Sequence, residues 1–244
     1  MILDIFKFSI EHSIKDRMTF LKLSPLSLFS FLIIPFIIIE GYCYRITNIQ
    51  LDSFINAKDP LPEFNDLKNL IIDGLKVIFV NFIYSLPLFI AILISFEGII
   101  HVSESAITVN ITESMLILII LFIIAFITFL FSKVAIAHMI CEKSFKTAFE
   151  IKELIRIIKE IKVRNYLQFY IGYILLYVAI FISVFFVIEL FASFLHFNHI
   201  GVNLYFVTVG LDIVLILLSF ILVIFPLFKI FESRSIASIY NMRD

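Results

Sequence analysis

The chain has 244 residues, of which 61% are hydrophobic and 16% charged, with a formal net charge of −1 and a mean hydropathy of +1.08. Soluble domains carry roughly a quarter of their residues charged, so an ordinary soluble domain is excluded, and the near-zero charge gives no electrostatic reason to expect a nucleic-acid partner. The composition predicts an all-α polytopic transmembrane helix bundle, a single integral membrane domain over residues 1–244.

In residues 1–22, Leu3, Phe6, Ile10, Ile14, Met18 and Leu21 recur at helical spacing and predict an amphipathic helix in the membrane interface. Asp4, Lys7, Glu11, Lys15, Asp16 and Arg17 interrupt the stretch, so it does not read as a secretory signal, and Met1 is expected to stay. Next, Leu26 to Tyr44 is apolar only as far as Ile39 and contains Pro35. It is either a re-entrant segment bent at Pro35, where proline removes a helical hydrogen bond, or a true span with the N-terminus outside.

Residues 45–74 read as a cytoplasmic loop carrying Leu61, Pro62, Glu63 and Phe64. Pro62 suits a turn or helix start, Asn65 or Asp66 can cap the next turn, and Leu67, Leu70 and Ile71 share a face. Docking of this loop on the bundle is the simplest expectation, and ligand binding the alternative.

A hydrocarbon core about 30 Å thick needs roughly twenty helical residues. Four segments meet that length: Leu75 to Ile94, Met115 to Ile140, Tyr166 to Leu195 and Tyr205 to Phe228. Between the second and third, residues 143–164 combine Phe145, Ala148, Phe149, Ile155, Ile158 and Ile161 with seven lysines and arginines, which predicts a second amphipathic interfacial helix on the cytoplasmic side.

Lysine and arginine are retained on the cytoplasmic side of a span. The connections Phe96 to Glu113 and Glu189 to Leu204 hold none of the 19 basic residues, so they face outward and the C-terminus is cytoplasmic. The expected location is the cell membrane. Cys43 and Cys141 belong to no paired metal-ligand pattern and read as small buried residues.

Gly41-Tyr42-Cys43-Tyr44-Arg45, Leu61-Pro62-Glu63-Phe64-Asn65-Asp66, Asp73-Gly74-Leu75-Lys76 and Tyr84-Ser85-Leu86-Pro87 together resemble an uncharacterised family of archaeal and bacterial membrane proteins, domain of unknown function 4013. The resemblance continues through Ala135-Ile136-Ala137-His138, Ala148-Phe149-Glu150-Ile151 and Asn165-Tyr166-Leu167. Where that family often places tryptophan after the glutamate of the Leu-Pro-Glu block and again three residues on, this chain has Phe64 and Leu67. The resemblance implies membrane location and topology, and it brings no activity.

Ionisable residues inside a membrane are costly and become functional candidates. Asp212 stands about 10 Å into its span at 1.5 Å per residue, and Glu189, His196 and His199 are near it in sequence. Together they define a candidate outward cation or proton site, although zinc needs at least three protein ligands. The plainer reading has Asp212 bonding within the bundle and both histidines solvated. Asn81, with Tyr84, Ser85 and Pro87, forms a polar patch suited to helix packing. Glu40 is expected to pair with Arg45, Glu232 and Arg234 to anchor at the interface, and Lys76, Lys133 and Lys229 to snorkel.

No zinc-protease, phosphate-loop or nucleophile-elbow pattern occurs in the chain. No cofactor and no metal are expected. The reading is a non-catalytic membrane-organising or partner-binding protein whose partners are the lipid bilayer and a second copy or a membrane partner. A small permease or transporter subunit is the alternative, and an intramembrane enzyme has least support.

Overall fold

The computed structural model describes residues 2–15, 17–52, 61–103, 106–109, 111–198, 214–215 and 217–243. Its elements are α1 (Ile2–Lys15), α2 (Arg17–Leu28), α3 (Ile33–Leu51), α4 (Leu67–Ile99), a short antiparallel hairpin of β1 (Ile100–Ser103) and β2 (Ala106–Val109), α5 (Ile111–Cys141), a 3-10 turn (Phe145–Phe149), α6 (Ile151–Glu160), α7 (Val163–Asn198), a π-helical turn (Phe220–Ile224) and α8 (Phe225–Tyr240).

Among the described residues three helices, not four, are long and apolar enough to cross a membrane: Leu67–Ser95, Met115–Cys141 and Val163–Val187. The fourth expected span, Tyr205 to Phe228, lies partly outside the described residues, which take it up at 214–215 and from 217 onward. Burial along the three is polarised. Val77 and Val80 of α4, Val134 to Ile140 of α5, and Tyr166, Phe169 and Tyr170 of α7 are buried, while Phe89 to Ile94, Met115 to Phe122 and Phe185 to Leu190 are largely exposed. One end of the bundle is therefore a packed body, and the other presents bare apolar helices.

Helix α8 is the core of the packed end, in contact with α1, α3 and α5. Its Ser233, Ser235, Ala237 and Ser238 are small enough for close approach, and Ile230, Phe231, Ile236, Ile239 and Tyr240 fill the space around them. Asn241 beyond its end donates to the Gln50 and Leu51 carbonyls of α3 at 3.2 and 3.1 Å, satisfying acceptors that a helix C-terminus leaves open.

The α3–α4 crossing depends on two glycines. A Cβ on Gly41 would lie 1.9 Å from the Leu70 carbonyl oxygen, and one on Gly74 would lie 2.0 Å from that of Ile37. Only residues without a side chain let the backbones come so close.

Several local expectations are corrected. The chain between residues 26 and 44 breaks at residues 29–32, not at Pro35. Pro35 instead occupies the first turn of α3, where its missing N–H would have had no helical partner. Helices α2 and α3 pack together and leave Phe29, Phe31, Leu32, Ile33 and Ile34 exposed at their junction. In α1 the buried face is Ile5, Ser9 and Ser13, with Phe6 stacked on Phe169 and Phe231, while Leu3 and Ile10 point outward. Of the apolar face expected at the start of α4, Leu70 is fully buried but Leu67 is exposed.

Residues 143–164 are not one helix. Lys143 and Lys162 take φ of 51° and 70°, left-handed conformations that end helices. At the first, Ser144 and Lys143 donate to the Met139 and Ile140 carbonyls, both at 3.2 Å. The short α6 between these breaks buries Leu154 and Ile157 and turns Ile151 and Ile155 outward.

Candidate functional site

Four charged side chains meet inside the packed end. Lys229 Nζ of α8 lies 2.5 Å from Glu40 Oε1 of α3 and 3.9 Å from Glu232 Oε2, and Lys133 Nζ of α5 lies 2.6 Å from Glu232 Oε1. The side chains are only 6 to 20% exposed. Ring faces add to the pairing, with Lys133 5.0 Å from the Phe129 centroid and Lys229 5.8 Å from that of Phe225. The charges therefore sum to zero within the cluster. Burying charges is tolerated on those terms, since each ion is paired and hydrogen-bonded.

Burial pushes the Glu232 carboxyl up, yet the Lys133 and Lys229 ammonium groups hold it below the usual carboxylate value. Burial pulls Lys229 down, but Glu40 and Glu232 raise it above its ordinary value overall. Glu232 and Lys229 are consequently ionised near neutrality. The cluster borders a cavity of about 30 Å³ that Asn81 of α4 and Thr47 of α3 also line. A water molecule needs roughly 10–15 Å³ on the same measure, so the space suits water and not an organic solute.

These contacts correct four expectations. Glu40 pairs with Lys229, not with Arg45. Glu232 is bound inside the bundle, Arg234 is buried too, and Lys133 and Lys229 are tied to carboxylates. Lys76 pairs with Asp73 on its own helix and stays more open, so it alone of the three lysines keeps a surface role.

Arg45 holds the loop at residues 61–66. Its guanidinium donates to the Asn65 carbonyl at 2.6 Å, the Asn65 side-chain oxygen at 3.1 Å and the Asp66 carbonyl at 3.0 Å. Tyr42 donates to the Pro62 carbonyl at 2.9 Å, and its ring packs on Phe64 with centroids 5.2 Å apart. Asp66 caps α4 by accepting from the Asn69 N–H. Leu61 and Phe64 pack against the buried cluster of α3 and α8 while Glu63 is exposed, so the Leu-Pro-Glu-Phe block is a docked strap. Tyr84 donates to the Ala148 carbonyl at 2.7 Å and ties α4 to the 3-10 turn, a packing role.

Of the residues expected to form an outward site, Glu189 is the one whose side chain falls among the described residues. Asn81 faces the ionic cluster, whereas Glu189 is exposed on the far part of α7, 26 residues or about 39 Å along the helix from its start. His196 lies in the last turns of α7; nothing is described of its side chain, and Asp212 and His199 lie outside the described residues. No group of three metal-ligating side chains occurs among the described residues. Cys43 is buried with its Sγ 3.8 Å from the Lys229 carbonyl, and Cys141 is half-buried; both are free thiols.

A family model described as "Protein of unknown function (DUF4013)" matches residues 28–197. No curated protein and no solved structure matches the chain.

Proposed function

The chain belongs to the DUF4013 family of proteins of unknown function, and from its geometry we propose that it is a non-catalytic, multi-pass protein of the cell membrane that organises lipid or a membrane partner. The observation carrying this reading is the internally neutralised cluster of Glu40, Lys133, Lys229 and Glu232 beside a cavity of only about 30 Å³. A transport site keeps charge or polar capacity for its cargo, and here the charges are spent on one another.

The three apolar helices and their exposed halves suit a lipid environment. The basic residues at the packed end favour a cytoplasmic position for it and for the C-terminus. The exposed apolar junction of α2 and α3, two helices that pack on each other, favours a re-entrant hairpin over a span.

A permease is the second reading, and Asn81 beside four buried charges favours it. Labelling decides between the two. In a Cys43→Ala, Cys141→Ala background, Asn81→Cys should react with an impermeant thiol reagent from at most one side of sealed vesicles, and the native chain should leave mild detergent with a fixed partner or second copy. Labelling from both sides, or a chain that is always solitary, overturns the organising role.

A further inference from the structure

A groove of about 210 Å³ runs between α5, α6 and α7, from Lys159 and Val163 at the packed end toward Ile127 on the apolar half of α5. We propose that it holds one acyl chain of an anionic phospholipid, with the phosphate headgroup at Lys159 and with Lys162 and Arg164 flanking it.

Two independent features carry the assignment. The first is the wall. Leu130, Phe131, Ile155, Ile158 and Leu167 are hydrocarbon, and the one hydroxyl, Tyr166, is committed to the Leu130 carbonyl at 2.7 Å. A peptide backbone laid there would find no hydrogen-bond partners, whereas an acyl chain needs none.

The second is the rim. Arg156 on the same helix is engaged by Glu153 and Glu160. Lys159, Lys162 and Arg164 are exposed and have no carboxylate within ion-pair distance among the described residues. The left-handed turn at Lys162 starts α7 directly after α6, so Lys162 and Arg164 flank Val163 in sequence, and Val163 lines the groove together with Lys159. Positive charge at the interfacial end and hydrocarbon toward the membrane interior complement a lipid with a negative headgroup.

The inference rests on the reading of the chain as membrane-embedded and adds to it a chemical preference. The test uses the full chain purified in mild detergent, delipidated, and titrated with phosphatidylglycerol or phosphatidylcholine of identical acyl chains, with bound lipid counted by native mass spectrometry. Phosphatidylglycerol should be retained at least about fivefold better, the effect of one basic residue near an anionic headgroup. Lys159→Gln should remove most of that preference. Ile155→Trp, on the partly exposed wall of the groove, should reduce retention of both lipids. Glycerol 3-phosphate, which shares the headgroup chemistry but has no chain, should not compete.

Equal retention of the two lipids, an unchanged preference in Lys159→Gln, full competition by glycerol 3-phosphate, or a lipid-free dimer closing the groove would each overturn the lipid site while leaving membrane residence intact. Recovery of the chain from cells in the aqueous fraction would overturn both.

Discussion

Replacing Gly74 with alanine sets two effects of opposite sign against each other. Helix propensity alone favours alanine by about 1 kcal/mol. The structure opposes it: the new Cβ would lie 2.0 Å from the Ile37 carbonyl oxygen and 2.9 Å from the Gly41 nitrogen, where ordinary contact begins at 3.4 Å. Both obstacles are backbone, so no side chain can swing away, and α3 and α4 must separate at their closest point. Overpacking of a close-fitted interior costs typically 1–3 kcal/mol. With backbone on both sides the upper value applies, and subtracting the propensity gain leaves a net loss of about 2 kcal/mol. For a chain of this size that is a fall of roughly 4–8 °C in Tm, measurable by thermal unfolding in detergent. Gly172→Ala is the control, because its new Cβ meets only the tip of the Phe6 ring, at 3.1 and 3.3 Å, and that ring can shift. A Gly74→Ala protein as stable as wild type, or one no worse than Gly172→Ala, would refute the close crossing.

Other outcomes follow from the same structure. Lys229→Met strands the Glu40 carboxylate in the interior and should destabilise by about 3–5 kcal/mol. Adding Glu40→Gln should recover much of the loss, and a double variant no better than the single one would contradict the pairing. Because the folded Glu232 carboxyl titrates below its ordinary 4.5 and the folded Lys229 ammonium above its ordinary 10.5, the first contribution is complete above pH 4.5 and fades as pH falls through the folded value. The second is complete below pH 10.5 and fades as pH rises. Stability should plateau between about pH 5 and 10, and Glu232→Gln should flatten the acid limb; parallel limbs in the two proteins would count against the assignment. Arg45→Ala removes the anchor of residues 61–66 and should raise proteolytic cleavage there by about tenfold or more, since hydrogen bonds to a charged group contribute about 1.5–3 kcal/mol each and local opening follows that free energy. Unchanged cleavage would mean the strap is held by Tyr42 and Phe64 alone.

How much of this was legible beforehand depends on the range of the interaction. The long apolar helices expected from near Leu75, Met115 and Tyr166 were readable because twenty apolar residues in a row are a local property. Capping of α4 was readable too, since Asp66 acts on Asn69 three residues away. The break between α2 and α3 was misplaced because Pro35 looks disruptive in isolation, yet a proline in a first turn sacrifices no bond. In α1 the inward contacts of the serines were not readable, because serine is nominally polar yet Ser9 and Ser13 are buried, with the Ser13 hydroxyl returned to the Ser9 carbonyl at 2.8 Å.

The ionic cluster had no local signature. Glu40 and Lys229 are 189 residues apart, and nothing near Glu40 in the chain distinguishes that partner from Arg45 five positions on. Charges near the ends of apolar segments read as interfacial, and only the placement of α8 in the middle of the packed end turns them into interior pairs.

By itself, then, the amino-acid order determined the apolar character of this chain, the positions of three membrane-length helices and the docking of the Leu-Pro-Glu-Phe block, because hydropathy and turn chemistry act over a few to about twenty residues. Tertiary structure alone decided that Gly41 and Gly74 seat one helix on another, that Glu40 and Glu232 find Lys229 and Lys133, and that a groove with a cationic rim opens beside α6. Each of those depends on which distant helices share a boundary, and contact of that kind is a property of the assembled bundle.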